Sequence, residues 1–191
     1  MFLRRALKVF ANYISRMNQH SKDEEDQIEY ALRIIVFEFL KTIGVIAAFS
    51  LIGYPTQAIV ALLAMIISKP FIGGLHEDSQ IKCFIATLII IGSIIYLSMN
   101  LRVDLISKLI LNAVSIYCIW HQAPIINPKM QLTKPELIKR NRILGIIIVA
   151  ALALTSIILY RYTSVSNIIS WTLVFQALLM FNKRSNTNLK T

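Results

Sequence analysis

Long apolar runs separated by short polar stretches dominate this 191-residue chain. Six runs stand out, at about residues 32–53, 55–70, 83–99, 103–120, 143–160 and 165–181. A helix needs about 20 apolar residues to cross a bilayer, with a range of about 17–25. Lipid offers no hydrogen bonds, so a segment inside it must satisfy its backbone internally, as a helix does. The pattern therefore predicts an all-α, polytopic membrane protein with about six transmembrane or re-entrant helices. The second run, from Pro55 to Lys69-Pro70, is short for a full crossing. Ahead of the runs, Phe2, Leu3, Ala6, Leu7, Val9, Phe10, Tyr13, Ile14 and Met17 recur at helical spacing among Arg4, Arg5, Lys8 and Arg16. That describes a basic amphipathic helix lying on an anionic membrane surface. In the first run Glu38 and Lys41 stand three apart, so they can pair on one helix face.

Composition agrees. Hydrophobic residues make up 56% of the chain and charged residues 16%, against about 25% charged in an ordinary soluble domain. The mean hydropathy is +0.63. A soluble chain of this length could not hide so much apolar surface in one core. The net charge of +10 raises the question of nucleic acid, but the basic residues lie between the apolar runs, so no nucleic-acid partner is expected. The run Asp23, Glu24, Glu25, Asp26 would repel phosphate and reads as a solvated face. With the N-terminus inside, 16 of the 20 basic residues fall on the cytoplasmic side, and only Arg102 and Arg161 fall in outer turns. This bias places both termini in the cytoplasm, in a multi-pass protein of the cell membrane. No cleavable signal peptide is visible, because the basic residues interrupt any apolar core near the start. No internal repeat or low-complexity linker appears. Residues 1–191 read as one membrane-embedded domain, with an N-terminal amphipathic segment (1–30), a chemistry-bearing segment (69–83) and a basic cytoplasmic loop (121–142).

The chemistry concentrates in SKPFIGGLHEDSQIKC, residues 68–83, between the second and third runs. Gly73, Gly74, His76, Glu77, Asp78, Ser79, Gln80 and Cys83 crowd the inner edge of the membrane. A cytoplasmic loop carries polar residues at no cost, so crowding alone decides little. A Cys/His pair has a definite use, however: a thiolate is a nucleophile, and an imidazole can take its proton and later pass it to a leaving amine. In a continuous helix His76 and Cys83 would share a face but stand about 10.5 Å apart along the axis, beyond the roughly 3 Å of a hydrogen bond. A working pair needs the chain to turn between them, and Gly73-Gly74 supplies backbone freedom just upstream. Lys69 and Lys82 would add positive potential favouring a thiolate. Glu77, Asp78, Ser79 and Gln80 are all candidates to orient the imidazole.

Cys118 and His121 also sit three apart, at the end of the fourth run. With no orienting group beside them, a buried cysteine followed by an interfacial Trp and His is the simpler reading. His20, beside the acidic run, reads as surface. Two cysteines give neither a metal-finger spacing nor a disulfide framework, and no metal or cofactor is expected.

These residues resemble the accessory gene regulator B family, the membrane peptidases of Gram-positive quorum sensing. The opening amphipathic helix, the acidic stretch with IEYALRIIVFEFLKT, the segment KPFIGGLHEDSQIKC and the turn HQAPIINP follow the family's order and spacing over most of the chain. The resemblance implies that Cys83 is the nucleophile and His76 its base, with Gly74 shaping the turn and Lys69, Gly73 and Gln80 supporting the site or binding substrate. Lys69 stands where the family commonly has Arg, so a bidentate carboxylate clamp is not expected there. The implied activity is that of a cysteine endopeptidase, which cleaves a small precursor peptide on its C-terminal side through a thioester and cyclises it to a thiolactone or lactone. The implied partners are a precursor with an amphipathic leader and an acidic C-terminal tail, and the lipid bilayer; a homodimer is also compatible. The alternatives are a small membrane transporter or channel subunit, with Glu38, Lys41 and Lys108 lining a pathway, or a non-catalytic assembly or sensor subunit. Short helices without repeats make a thin scaffold for alternating access.

Overall fold

The computed structural model describes residues 9–10, 12–15, 22–73, 79–125 and 135–181. Among these residues there is no strand, and six α-helices follow one another: α1 (Lys22–Leu51), α2 (Pro55–Ile72), α3 (Gln80–Asn100), α4 (Leu105–Gln122), α5 (Pro135–Ile158) and α6 (Thr163–Phe181). A 3-10 turn, Leu159–Arg161, joins α5 to α6, and residues 9–10 and 12–15 are helical. The chain forms two compact units, residues 1–47 and 48–191.

In the first unit α1 starts well before the apolar run that predicts it, taking in the acidic stretch. Within α1 the Lys41 ammonium lies 2.5 Å from the Glu38 carboxylate, the pair expected from their spacing.

In the second unit α6 packs against α2, α3, α4 and α5. It is also the most deeply embedded of the apolar helices, with 56% of its length buried. Ser166, Asn167, Ser170, Thr172 and Gln176 are all buried along it. Small and polar residues at helix contacts, with apolar residues turned outward, are what a lipid-solvated bundle requires. Large apolar side chains are accordingly exposed on the other helices, among them Leu63 and Ile66 on α2 and Ile85 and Ile89 on α3.

Among the described residues, five helical segments are long and apolar enough to cross a membrane: Glu25–Leu51, Pro55–Ile72, Gln80–Asn100, Glu136–Arg161 and Thr163–Phe181. The expected fourth crossing, 103–120, does not reach this standard; it forms the 18-residue helix α4. Its last turn, Trp120-His121-Gln122, and its inner face both carry polar residues. Lys108, Asn112, Ser115 and Ile119 are buried at helical spacing, while Ile106, Ile110 and Val114 are exposed on the other side. Three polar residues on the packed face lower the mean hydropathy without making the outer face polar. Of the expected basic loop 121–142, residues 121–125 and 135–142 are described. Its Lys139, Arg140 and Arg142 belong to the first turns of α5, where Pro135 and then Glu136 suit a helix start.

Hydrogen bonds join α4, α5 and α6 at one end of the bundle. The Lys108 ammonium donates to Ser166 Oγ and lies 5.1 Å from the Tyr160 ring centroid. Ser166 Oγ donates to the Ser156 carbonyl at 2.5 Å, and Asn112 Nδ2 donates to Ser156 Oγ at 2.7 Å. At the opposite end α5 approaches α2 closely at Gly145, where an added Cβ would stand 2.8 Å from Ile72 Cγ2 and 3.3 Å from the Phe71 backbone. Gly145→Val should therefore cost about 1–3 kcal/mol of stability through overpacking, seen as a lower unfolding temperature in nanodiscs. An unchanged unfolding temperature would mean that α2 and α5 do not meet this closely.

Candidate active site

The end of α2, the start of α3 and the second half of α6 border a cavity of about 50 Å³. Its lining includes Lys69 and Gly73 from α2 and its cap, Cys83 and Thr87 from α3, and Gln176 from α6. The rest of the wall is largely apolar, with Met65, Ile72 and Leu179 among the lining residues. Three of the sequence-predicted site residues, Lys69, Gly73 and Cys83, thus border one space.

Cys83 sits in the first turn of α3 and is half-buried. Its backbone N–H donates to the Ser79 carbonyl at 3.0 Å, and its carbonyl accepts Thr87 Oγ1 at 2.8 Å. Ser79, the cap residue, is extended, with φ −108° and ψ 133°. Helix α3 begins after it, at Gln80. The first turn of a helix favours negative charge, which suits an attacking sulfur, and Lys69 adds a cation to the same cavity wall. Gln80 opens α3 and is exposed, and it is not among the cavity's lining residues. His76, Gly74, Glu77 and Asp78 lie outside the described residues.

Gly73 ends α2 with φ +79°, a left-handed conformation that L side chains rarely adopt. A Cβ here would also run into Ile125, whose backbone nitrogen would be only 2.9 Å away. Ile125 is held there because its N–H donates to the Ile72 carbonyl at 3.0 Å. The chain leaving α4, through the cis Ala123-Pro124 bond, therefore folds back over the end of α2. Arg142 of α5 reaches the same region, donating from a guanidinium nitrogen to the Trp120 carbonyl at 3.0 Å. This places a cation at the C-terminal end of α4, where the helix dipole favours one.

Cys118 is half-buried and packs against the apolar cluster formed by Ile72, Ile119, Val149 and Leu173, among others. His121 meets the edge of Tyr117, with ring centroids 4.8 Å apart. Neither cysteine is in a disulfide. Among the described residues, no three His, Cys, Asp or Glu side chains are grouped to hold a metal.

Two residues escaped the sequence reading. Ser68 is fully buried and Gln176 is 4% exposed, and Gln176 Nε2 donates to Ser68 Oγ at 2.6 Å. A glutamine inside the apolar run TLVFQALLM was the available signal, because polar residues at membrane depth are costly and need partners.

The profile of the accessory gene regulator B family matches residues 7–180. A Clostridium perfringens protein described as putative AgrB-like protein 1 is 42% identical over 181 residues, which cover 95% of this chain and 97% of that one. The accessory gene regulator protein B of Staphylococcus aureus is 22% identical over 153 residues, 80% of this chain and 81% of the relative. No solved structure matches the chain. The chain belongs to the accessory gene regulator B family, whose field is accessory gene regulation and quorum sensing.

Proposed function

We propose that this protein is a membrane-embedded cysteine endopeptidase that cleaves a small signalling-peptide precursor on its C-terminal side and cyclises the product. The observation that carries the reading is the placement of Cys83 in the first turn of α3, on a partly open cavity shared with Lys69 and Gly73. Family membership supplies the biological setting.

In this mechanism His76 takes the Cys83 proton, and the thiolate attacks the carbonyl carbon of the scissile peptide bond. The C–N bond breaks, His76 returns the proton to the leaving amine, and the acyl group remains on Cys83 as a thioester. A cysteine or serine side chain within the bound precursor then attacks the thioester carbonyl. The new ring closes through sulfur or oxygen, the nucleophile's proton is lost to His76, and the Cys83 thiolate departs. Exchange of one thioester for another keeps the acyl group activated. Holding both groups on one chain replaces a bimolecular step with an intramolecular one. A largely apolar cavity at the end of a helix bundle keeps competing water low. Both termini lie on the cytoplasmic side in this reading, so the precursor reaches Cys83 from within the cell. An amphipathic leader would hold it at the membrane surface.

Cys83→Ala should abolish precursor cleavage in membranes while leaving expression intact, and Cys118→Ala should cleave as the unaltered protein does. Cleavage that survives in Cys83→Ala would end the mechanism. His76→Ala should lower the turnover of bound precursor by roughly 10²–10⁴-fold, the usual contribution of an acid–base group, with binding little changed. A fall confined to binding would make His76 a structural residue.

Basic residues of 121–142 would attract the acidic tail of the precursor to this face. Lys129 and Lys134 lie outside the described residues, and Lys139 is on α5. Replacing all three by Gln leaves Arg142 on the Trp120 carbonyl. Precursor affinity should then fall and its dependence on salt should flatten. Kinetics that keep the original salt response would assign these lysines to membrane orientation alone.

A further inference from the structure

The polar residue that the proposed mechanism leaves unused is Gln176. It lines the Cys83 cavity although it is 4% exposed. Its amide is anchored through a short relay. Gln176 Nε2 donates to Ser68 Oγ at 2.6 Å, and Ser68 Oγ donates to the Ala64 carbonyl at 2.7 Å. Gln176 Oε1 is buried and has no hydrogen-bond partner. Reversing the amide would not remove the deficit, because Ser68 can satisfy only one end of it. A buried, unpaired carbonyl oxygen is costly, and methionine would fill a similar volume without that cost. An anchored amide with an unused acceptor, in the same largely apolar lining as Cys83, is a polar group that waits for a donor.

We infer that Gln176 is a substrate-positioning residue of the Cys83 site, its Oε1 accepting a backbone N–H of the peptide segment that carries the scissile carbonyl. The inference rests on the peptidase reading and adds to it a recognition element indifferent to side chains. A peptide backbone is the natural donor, since every residue except proline offers an N–H. One hydrogen bond to a fixed acceptor would orient the carbonyl towards Cys83, because Cys83 on α3 and Gln176 on α6 line the same cavity. Ser68 serves this arrangement indirectly by holding the amide with its nitrogen engaged and its oxygen spare.

The test needs no knowledge of the natural precursor. The full chain in nanodiscs is treated with acetyl-Leu-Leu chloromethyl ketone, and separately with the analogue in which the N–H of the ketone-bearing residue is replaced by an ester oxygen. Alkylation of Cys83 is followed by peptide mass spectrometry, with iodoacetamide as the reference for bare thiol reactivity. The unaltered protein should react about tenfold faster with the amide reagent than with the ester, the ratio expected for one well-made hydrogen bond. In Gln176→Met the preference should vanish, while the iodoacetamide rate holds. Gln176→Glu, which keeps an acceptor at the same reach, should restore it. Ser68→Ala leaves Gln176 in place but unanchored, so it should reduce the preference, and this variant decides the matter if Gln176→Met does not fold. An amide preference that persists at full size in Gln176→Met, or in Ser68→Ala when the former cannot be made, overturns the role of Gln176 and leaves the peptidase reading standing. If neither chloromethyl ketone modifies Cys83 faster than iodoacetamide does, the peptide-binding site itself is absent and both readings fall.

Discussion

Polar side chains buried in a bundle that lipid surrounds must find partners within it, and in this protein α6 gathers them. At one end Ser166 takes the Lys108 ammonium from α4 and passes a hydrogen bond to the Ser156 carbonyl of α5. Towards the other end Gln176 reaches Ser68 on α2. Water cannot replace these partners at membrane depth, so sliding one helix along another would strand several groups together. Apolar packing against lipid gives little resistance to such a slide, since lipid tails are as apolar as leucine. The polar contacts of α6 therefore do more to set the helix register than their number suggests. The walls of the Cys83 cavity come from α2, α3 and α6, so its shape depends on that register.

Close backbone approaches complete the site. Gly145 lets α5 come against the last turn of α2, and Gly73 lets the chain after α4 lie across the end of that helix. Ile125 ties the two by its bond to the Ile72 carbonyl, and Arg142 closes the last turn of α4 from α5. Residues far apart in sequence thus converge on the segment just before the His76 region. The positive φ of Gly73 turns the chain out of α2 without a side chain in the way.

Much of this was legible in the sequence, for reasons that differ from element to element. The apolar runs predict the helices because a spanning segment can satisfy its backbone only as a helix. Their polar ends are harder to read. Lys22–Gln27 and Pro135–Arg142 look like loops because they are charged, yet they are helical, since a helix leaving the membrane need not stay apolar. The inner face of α4 misleads in another way: Lys108, Asn112 and Ser115 are buried by packing, which no average over the run reports. Of the site residues, Cys83, Lys69 and Gly73 stood out by their spacing and chemistry, and the family resemblance was shown independently by the match over residues 7–180. Gln176 stayed hidden because its neighbours in the site, Cys83 and Ser68, are roughly a hundred residues away in the chain, and only the folded bundle brings them to one cavity.

Acyl transfer to a single cysteine at the start of α3 is the central claim, and intact-protein mass spectrometry tests it most directly. The purified chain in nanodiscs is mixed with its precursor and quenched in acid within seconds. The account predicts an adduct with the mass of the N-terminal precursor fragment, located on Cys83 by peptide mapping and released by neutral hydroxylamine, as a thioester is. Cleavage of the precursor with no adduct on Cys83 at any quench time, together with an adduct on Cys118, would contradict it.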